Sequence, residues 1–117
     1  MAAPEAEETL IVIPIVPGKS EGWRRVMQEI AGARRKDFEL AQERWGISSV
    51  SVYTASTRLG QVAVIRLVTN NSLIDLQIQI AASEEPFDRW LKEQFRIFHG
   101  VDLDGPAGGQ AAERIFP

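Results

Sequence analysis

His99 is the one histidine of the chain, and with Asp102 and Asp104 it forms a His-x-x-Asp-x-Asp string. Imidazole and carboxylate groups bind metals and move protons, but three donors from one short loop make a sparse ligand set. Catalytic groups also need sheltered, partnered surroundings. His99 stands just before Gly100, and a helical wheel places it toward a polar face, where a basic group in the last turn suits the helix dipole. It is read first as a helix-end residue and second as a catalytic candidate, and no metal site is assigned.

Arg66 interrupts an otherwise apolar run, Gln61-Val62-Ala63-Val64-Ile65-Arg66-Leu67-Val68. If the preceding turn centres near Arg58, Ser51 lies opposite Arg66 and Tyr53 opposite Val64. Side chains alternate along a strand, so Ser51, Tyr53 and Arg66 then share one face and Val50, Val52, Ile65 and Leu67 the other. Arg66, Ser51 and Tyr53 are thus candidate ligand-binding residues, with Arg66 and Tyr53 also catalytic candidates. The preferred reading of Arg66 is an ion pair with a carboxylate of a partner chain, since arginine is common at interfaces. Arg34 falls in an apolar helical stripe beside Trp23, Ile30 and Ala41. A snorkelling stem or a bend near Gly32 accounts for it, and lining a cavity between helix and sheet is the alternative.

Two other patterns fail on chemistry. Gly18-Lys19-Ser20 imitates the end of a phosphate-binding loop, but the required first glycine falls at Ile13, and Pro14 and Pro17 remove needed N–H donors. Arg24, Arg25, Arg35 and Lys36 share their helix side with Glu21, Glu29, Glu39 and Glu43, which makes a mixed, solvated face.

These residues need elements to hold them. Thr9–Val16 reads as a strand covered on both faces, with Pro14 marking an edge or bulge. Residues 1–8 read as an acidic arm. Ser20 is the expected N-cap of one long helix from about Glu21 to Trp45, ended by Gly46. Ser49–Thr54 and Gly60–Thr69 form a hairpin. Ser72–Ala82 alternates as Ile74, Leu76, Ile78 and Ile80, a strand pattern, although Ser72-x-x-Asp75 approximates a capping box. Ser83 is the expected N-cap of a helix with Phe87, Trp90, Leu91, Gln94, Ile97 and Phe98 near one face, closed by Gly100. Gly105–Gln110 reads as a flexible link before a possible last strand over 111–116.

The chain has 117 residues, 44% apolar and 25% charged, which fits one globular domain over 1–117. A net charge of −3, and a strand at 61–68 without aromatic rings, argue against nucleic-acid partners. No apolar run reaches membrane-span length, and the first residues lack the basic and apolar regions of a signal peptide. The absence of cysteine favours a reducing, cytoplasmic setting.

Val16-Pro17-Gly18-Lys19-Ser20-Glu21 with Trp23, the hairpin, and Ala82-Ser83-Glu84-Glu85-Pro86-Phe87-Asp88-Arg89 resemble a family of small uncharacterised ferredoxin-like proteins of the dimeric α+β barrel superfamily. The resemblance spans most of residues 9–100 and rests on caps and turns. It implies an α+β, ferredoxin-like βαββαβ fold, an antiparallel sheet with helices on one face, and a homodimer through the open sheet face. It also implies that Ser72–Ala82 is helical, against the local pattern, and that a closing strand falls near Glu113–Phe116. Some superfamily members degrade haem with an Asn, a Trp and a His on the first strand, third strand and second helix. This chain lacks the Asn and the Trp at those places, so no haem or other cofactor is expected. The expected function is a homodimeric, small-ligand-binding or stress-related protein. The alternatives are a cofactor-independent monooxygenase or isomerase acting on a small apolar metabolite, anchored by Arg66, Tyr53 or His99, and a purely structural interaction module.

Overall fold

A computed structural model describes residues 7–103 and 112–117. The elements run β1 (Glu7–Pro14), α1 (Ser20–Ala31), α2 (Arg35–Trp45), β2 (Ile47–Thr57), β3 (Gly60–Thr69), α3 (Leu73–Ala82) and α4 (Pro86–His99). The strands form one antiparallel sheet in the order β1-β3-β2. The fold is α+β, with all four helices over one face of three strands. No fourth strand occurs among the described residues, and residues 112–117 carry none. The backbone N–H of Ala112 nevertheless donates to the carbonyl of Leu10 at 2.6 Å, which brings the C-terminal segment to the free edge of β1 of its own chain.

The hairpin has the expected register: Ser51 pairs with Arg66 and Tyr53 with Val64. Its turn is tight, with Thr57 opposite Gly60, and the Thr57 hydroxyl bonds the Gly60 carbonyl. A bulge between Ile47 and Ser49 turns Ile47 into the core, where a regular ladder would have sent Ser48. Glu7 and Glu8, expected in the acidic arm, pair with Thr69 and Val68 in β1, and the rest of that expected arm lies outside the described residues. Pro14 closes β1 on an edge strand, where its missing N–H breaks no ladder.

The long helix is two helices. The chain breaks at Gly32-Ala33-Arg34, where Gly32 donates to Glu29 and Arg35 to Gly32, and α2 restarts. Glycine costs a helix about 1 kcal/mol relative to alanine, which places the break where it is cheapest. Two expected caps also move by a residue or two. Lys19 precedes α1 without a side-chain cap, and Glu85 precedes α4 with Pro86 at its first position.

Gly46 ends α2 in the left-handed region at φ 68°, and a Cβ there would meet Asn71 Nδ2 at 2.6 Å. That close approach has a purpose: Asn71 Nδ2 donates to the Trp45 carbonyl at 2.8 Å, and Thr69 Oγ1 donates to the Gly46 carbonyl. The exit of β3 is thereby tied to the end of α2 and the chain is aimed into α3. Ser72 accepts from the Asp75 N–H at 3.1 Å and starts α3. The helix turns Leu73, Leu76 and Ile80 inward and leaves Ile74 and Ile78 exposed.

Two buried clusters lie between sheet and helices. One joins Ala41 and Trp45 of α2 to Ile47, Leu67, Leu76, Phe87 and Leu91. The other joins Trp23 of α1 to Ile13, Ile15 and Ala63. Ile65 and Phe95 pack against both.

Candidate functional site

A cavity of about 480 Å³ opens between the sheet and the helices. Its walls come from both clusters: Ile13, Trp23 and Ala63 on one side, Trp45, Leu67 and Leu76 on the other. Trp23, Met27 and Ile30 reach it from successive turns of α1, as an apolar stripe at helical spacing must. Val50 and Val52 reach it from alternate positions of β2. Ala31, Arg35, Glu39 and Val52 both line it and face solvent, and so mark its opening. Its volume lies within the range of about 300–1,000 Å³ usual for small-molecule sites, and its wall is mostly apolar.

The polar part of the wall is small. Arg35 and Glu39 bond each other across one helical turn, Nε to Oε1 at 3.1 Å. Gln42, Gln77 and Gln94 contribute amides, and His99 contributes its ring. Gln94 had a sequence signal, a polar residue inside the apolar face of α4. Arg35 and Glu39 had none, because they sit in the mixed-charge pattern of an exposed helix face.

His99 is the sequence candidate that the fold carries to the cavity, from the other side of α4 than the wheel placed it. It is half-buried, with its ring 5.1 Å from that of Phe95. Nδ1 lies 2.8 Å from the Pro14 carbonyl, which can only accept, so Nδ1 carries the proton and Nε2 keeps its lone pair. Burial pushes the imidazole below its ordinary pKa, opposed by the bond to Pro14. Asp102 lies within electrostatic reach of Arg96, and Asp104 falls outside the described residues.

The other candidates are elsewhere. Arg66, Ser51 and Tyr53 do share one face, but it is the open face of the sheet, opposite the cavity. They cannot anchor a ligand held under the helices. Arg66 also has a partner in its own chain: its Nε and Nη2 reach Glu8 Oε2 at 2.9 and 2.8 Å. Around that pair the open face is apolar, with Leu10, Val12 and Tyr53 exposed and Val62, Val64 and Val68 half-buried. Arg34 is outside the helical stripe. It sits at the break between α1 and α2, pairs with Glu29, and places its guanidinium 3.9 Å from the centroid of the Trp90 ring. It does not line the cavity.

Comparison with protein-family models, curated proteins and solved structures gives no match to this chain. Among the described residues, no helix is long and apolar enough to cross a membrane.

Proposed function

We propose that the protein binds a small, mainly apolar molecule in the cavity between sheet and helices, and acts as a homodimer joined through its open sheet face. The observation that carries the reading is the cavity itself, about 480 Å³ with a largely apolar wall. A void of that size and lining is costly for a closed core and suited to a ligand. The dimer rests on the opposite face: Val12 and Tyr53 are 54% and 58% exposed there, within a field of valines. An apolar face of this kind usually marks an interface. The ferredoxin-like, dimeric α+β barrel assignment belongs to the same proposal, with β1-β3-β2 as three strands of its sheet. The cysteine-free composition supports a cytoplasmic setting.

Binding is preferred over catalysis because Arg35 and Glu39 are committed to each other and, among the described lining residues, His99 keeps one ring nitrogen alone for chemistry. Glu39 holds Arg35, and His99 Nδ1 holds the Pro14 carbonyl. Native mass spectrometry of the purified protein, with a denatured control, tests both halves. A dimer carrying a discrete small-molecule mass supports the whole reading. A monomer removes the dimer. A ligand-free protein that also fails to take up apolar probes removes the binding function.

A further inference from the structure

The sheet ends in two unlike edges. β1 carries Glu8, Pro14 and the backbone bond from Ala112 to Leu10. A charge, a proline and a covering segment are common means of keeping an edge strand from pairing. β2, the other edge, has none of the three among the described residues. Ile47–Thr57 holds no charged residue, no proline and no glycine. Beyond the bulge at Ile47/Ser49 its register with β3 is regular to Thr57. The hydroxyls of Ser48 and Thr54 turn back onto the β3 carbonyls of Val68 and Val62, so they do not cap the outer side. Among the described residues, no backbone group from outside the sheet bonds residues 48–56. Alternate residues of an edge strand turn N–H and C=O away from the sheet, so β2 presents a row of free donors and acceptors.

A second copy of the same strand fits that row. Antiparallel pairing of β2 with itself is isologous, so each residue meets another from the same run. A charge on the strand would then bring a like charge close across the contact, and β2 has none. The two faces also agree. Val50, Val52 and Thr54 point to the helix side, where Thr54 stands opposite the buried Ala63, and Ser51 and Tyr53 point to the open side. A two-fold axis on Val52 or Tyr53, perpendicular to the sheet, keeps each set on its own side. The helices of both copies then lie over one face of the joined sheet.

We propose that β2 is a self-association surface, on which two copies pair antiparallel over 49–57 into one continuous sheet with three strands from each copy. This contact is separate from the cavity and from the open-face dimer, and goes beyond both. It is one strand edge wide, so it forms at higher concentration than the face-to-face contact.

The test uses the full chain carrying Val12→Lys, which charges the open face and leaves the edge untouched. Sedimentation equilibrium and backbone amide exchange are followed as concentration is raised. The proposal expects one copy at low concentration and two at high, and no more, because an isologous contact uses the same edge on both copies. The amides of 49–56 that do not bond β3 should exchange freely in the single copy. They should slow about tenfold when about nine chains in ten are paired, since exchange then runs through the free fraction. Thr54→Lys, added to Val12→Lys, sets like charges near the two-fold axis and should leave single copies with free amides at every concentration. If these variants do not fold, the same amides in the unaltered protein decide, and they must slow as concentration rises. The proposal is overturned by outer β2 amides that exchange freely at all concentrations, that are protected at all of them, or that stay free while copies associate. Growth of Val12→Lys beyond two copies overturns it as well.

Discussion

The Asp88 carboxylate is fully buried in the first turn of α4, and the Arg44 guanidinium at the end of α2 reaches its Oδ1 at 2.6 Å. The second oxygen, Oδ2, accepts from the Ser83 hydroxyl at 2.5 Å. Ser83 Oγ accepts in turn from the Glu85 N–H, and Lys92 Nζ donates to the carbonyls of Ala81 and Ser83. This polar lock joins α2, the α3–α4 turn and α4. Arg44→Leu leaves a buried carboxylate without its cation and should cost on the order of 3 kcal/mol in urea unfolding. Arg44→Leu with Asp88→Leu should lose less than Arg44→Leu alone, since the double change removes the stranded charge. A double variant as unstable as the sum of the singles would show that the pair is not coupled.

His99 gives a pH dependence with a definite sign. Burial holds its pKa below the ordinary value. Above about pH 6.5 the ring is neutral in both folded and unfolded chains, and its contribution is fully present. As pH falls, the unfolded chain takes up the proton first, so native stability declines until the folded ring also titrates. The stability difference between the unaltered protein and His99→Phe should therefore shrink as pH is lowered from about 7.5 to 5. A constant difference across that range would place the ring in water.

On the open sheet face, Val12→Lys puts a charge into the proposed dimer contact twice, once from each copy. It should raise the dimer Kd at least about a hundredfold while leaving the fold intact by circular dichroism. Arg66→Ala, by contrast, removes an ion pair made within one chain and half exposed, so monomer stability should change by less than about 1 kcal/mol. Sedimentation velocity of both variants separates the two effects; an unshifted dimer in Val12→Lys rules out this face.

Filling the cavity should trade binding for stability. Val50 lines it from β2, and Val50→Phe adds volume where the wall is empty. The variant should gain about 0.5–2 kcal/mol and lose affinity for apolar probes. A loss of stability instead would mean that the void closes in solution.

Gly46→Ala tests the hinge that starts α3. The substitution meets both the left-handed backbone and Asn71 Nδ2, and breaks the bond from Asn71 to Trp45 if the side chain yields. A cost of about 1–2 kcal/mol is expected from backbone strain alone, read by thermal unfolding. Asn71→Ala in the same background should then cost less than it does alone, because the two changes share one contact.

Local chemistry alone accounts for some elements of the fold. Alternation on both sides of one short turn placed Ser51 opposite Arg66, because a side-chain period of two and a tight turn leave one register that buries Val50 and Leu67 together. Gly46 and Gly100 marked two helix ends because each takes a positive φ that other residues avoid. Tertiary structure decided the rest. Ser72–Ala82 alternates as a strand does, yet Leu73, Leu76 and Ile80 can meet the core only as a helix once Asn71 has aimed the chain. The resemblance, not the pattern, pointed to that helix. The cost of the break at Gly32 is local, but its necessity comes from the two directions α1 and α2 must take over the sheet. Arg66 found Glu8, and His99 found Pro14, across 58 and 85 residues of chain. No spacing rule reaches that far, because such pairs form only when long-range packing has brought their elements together.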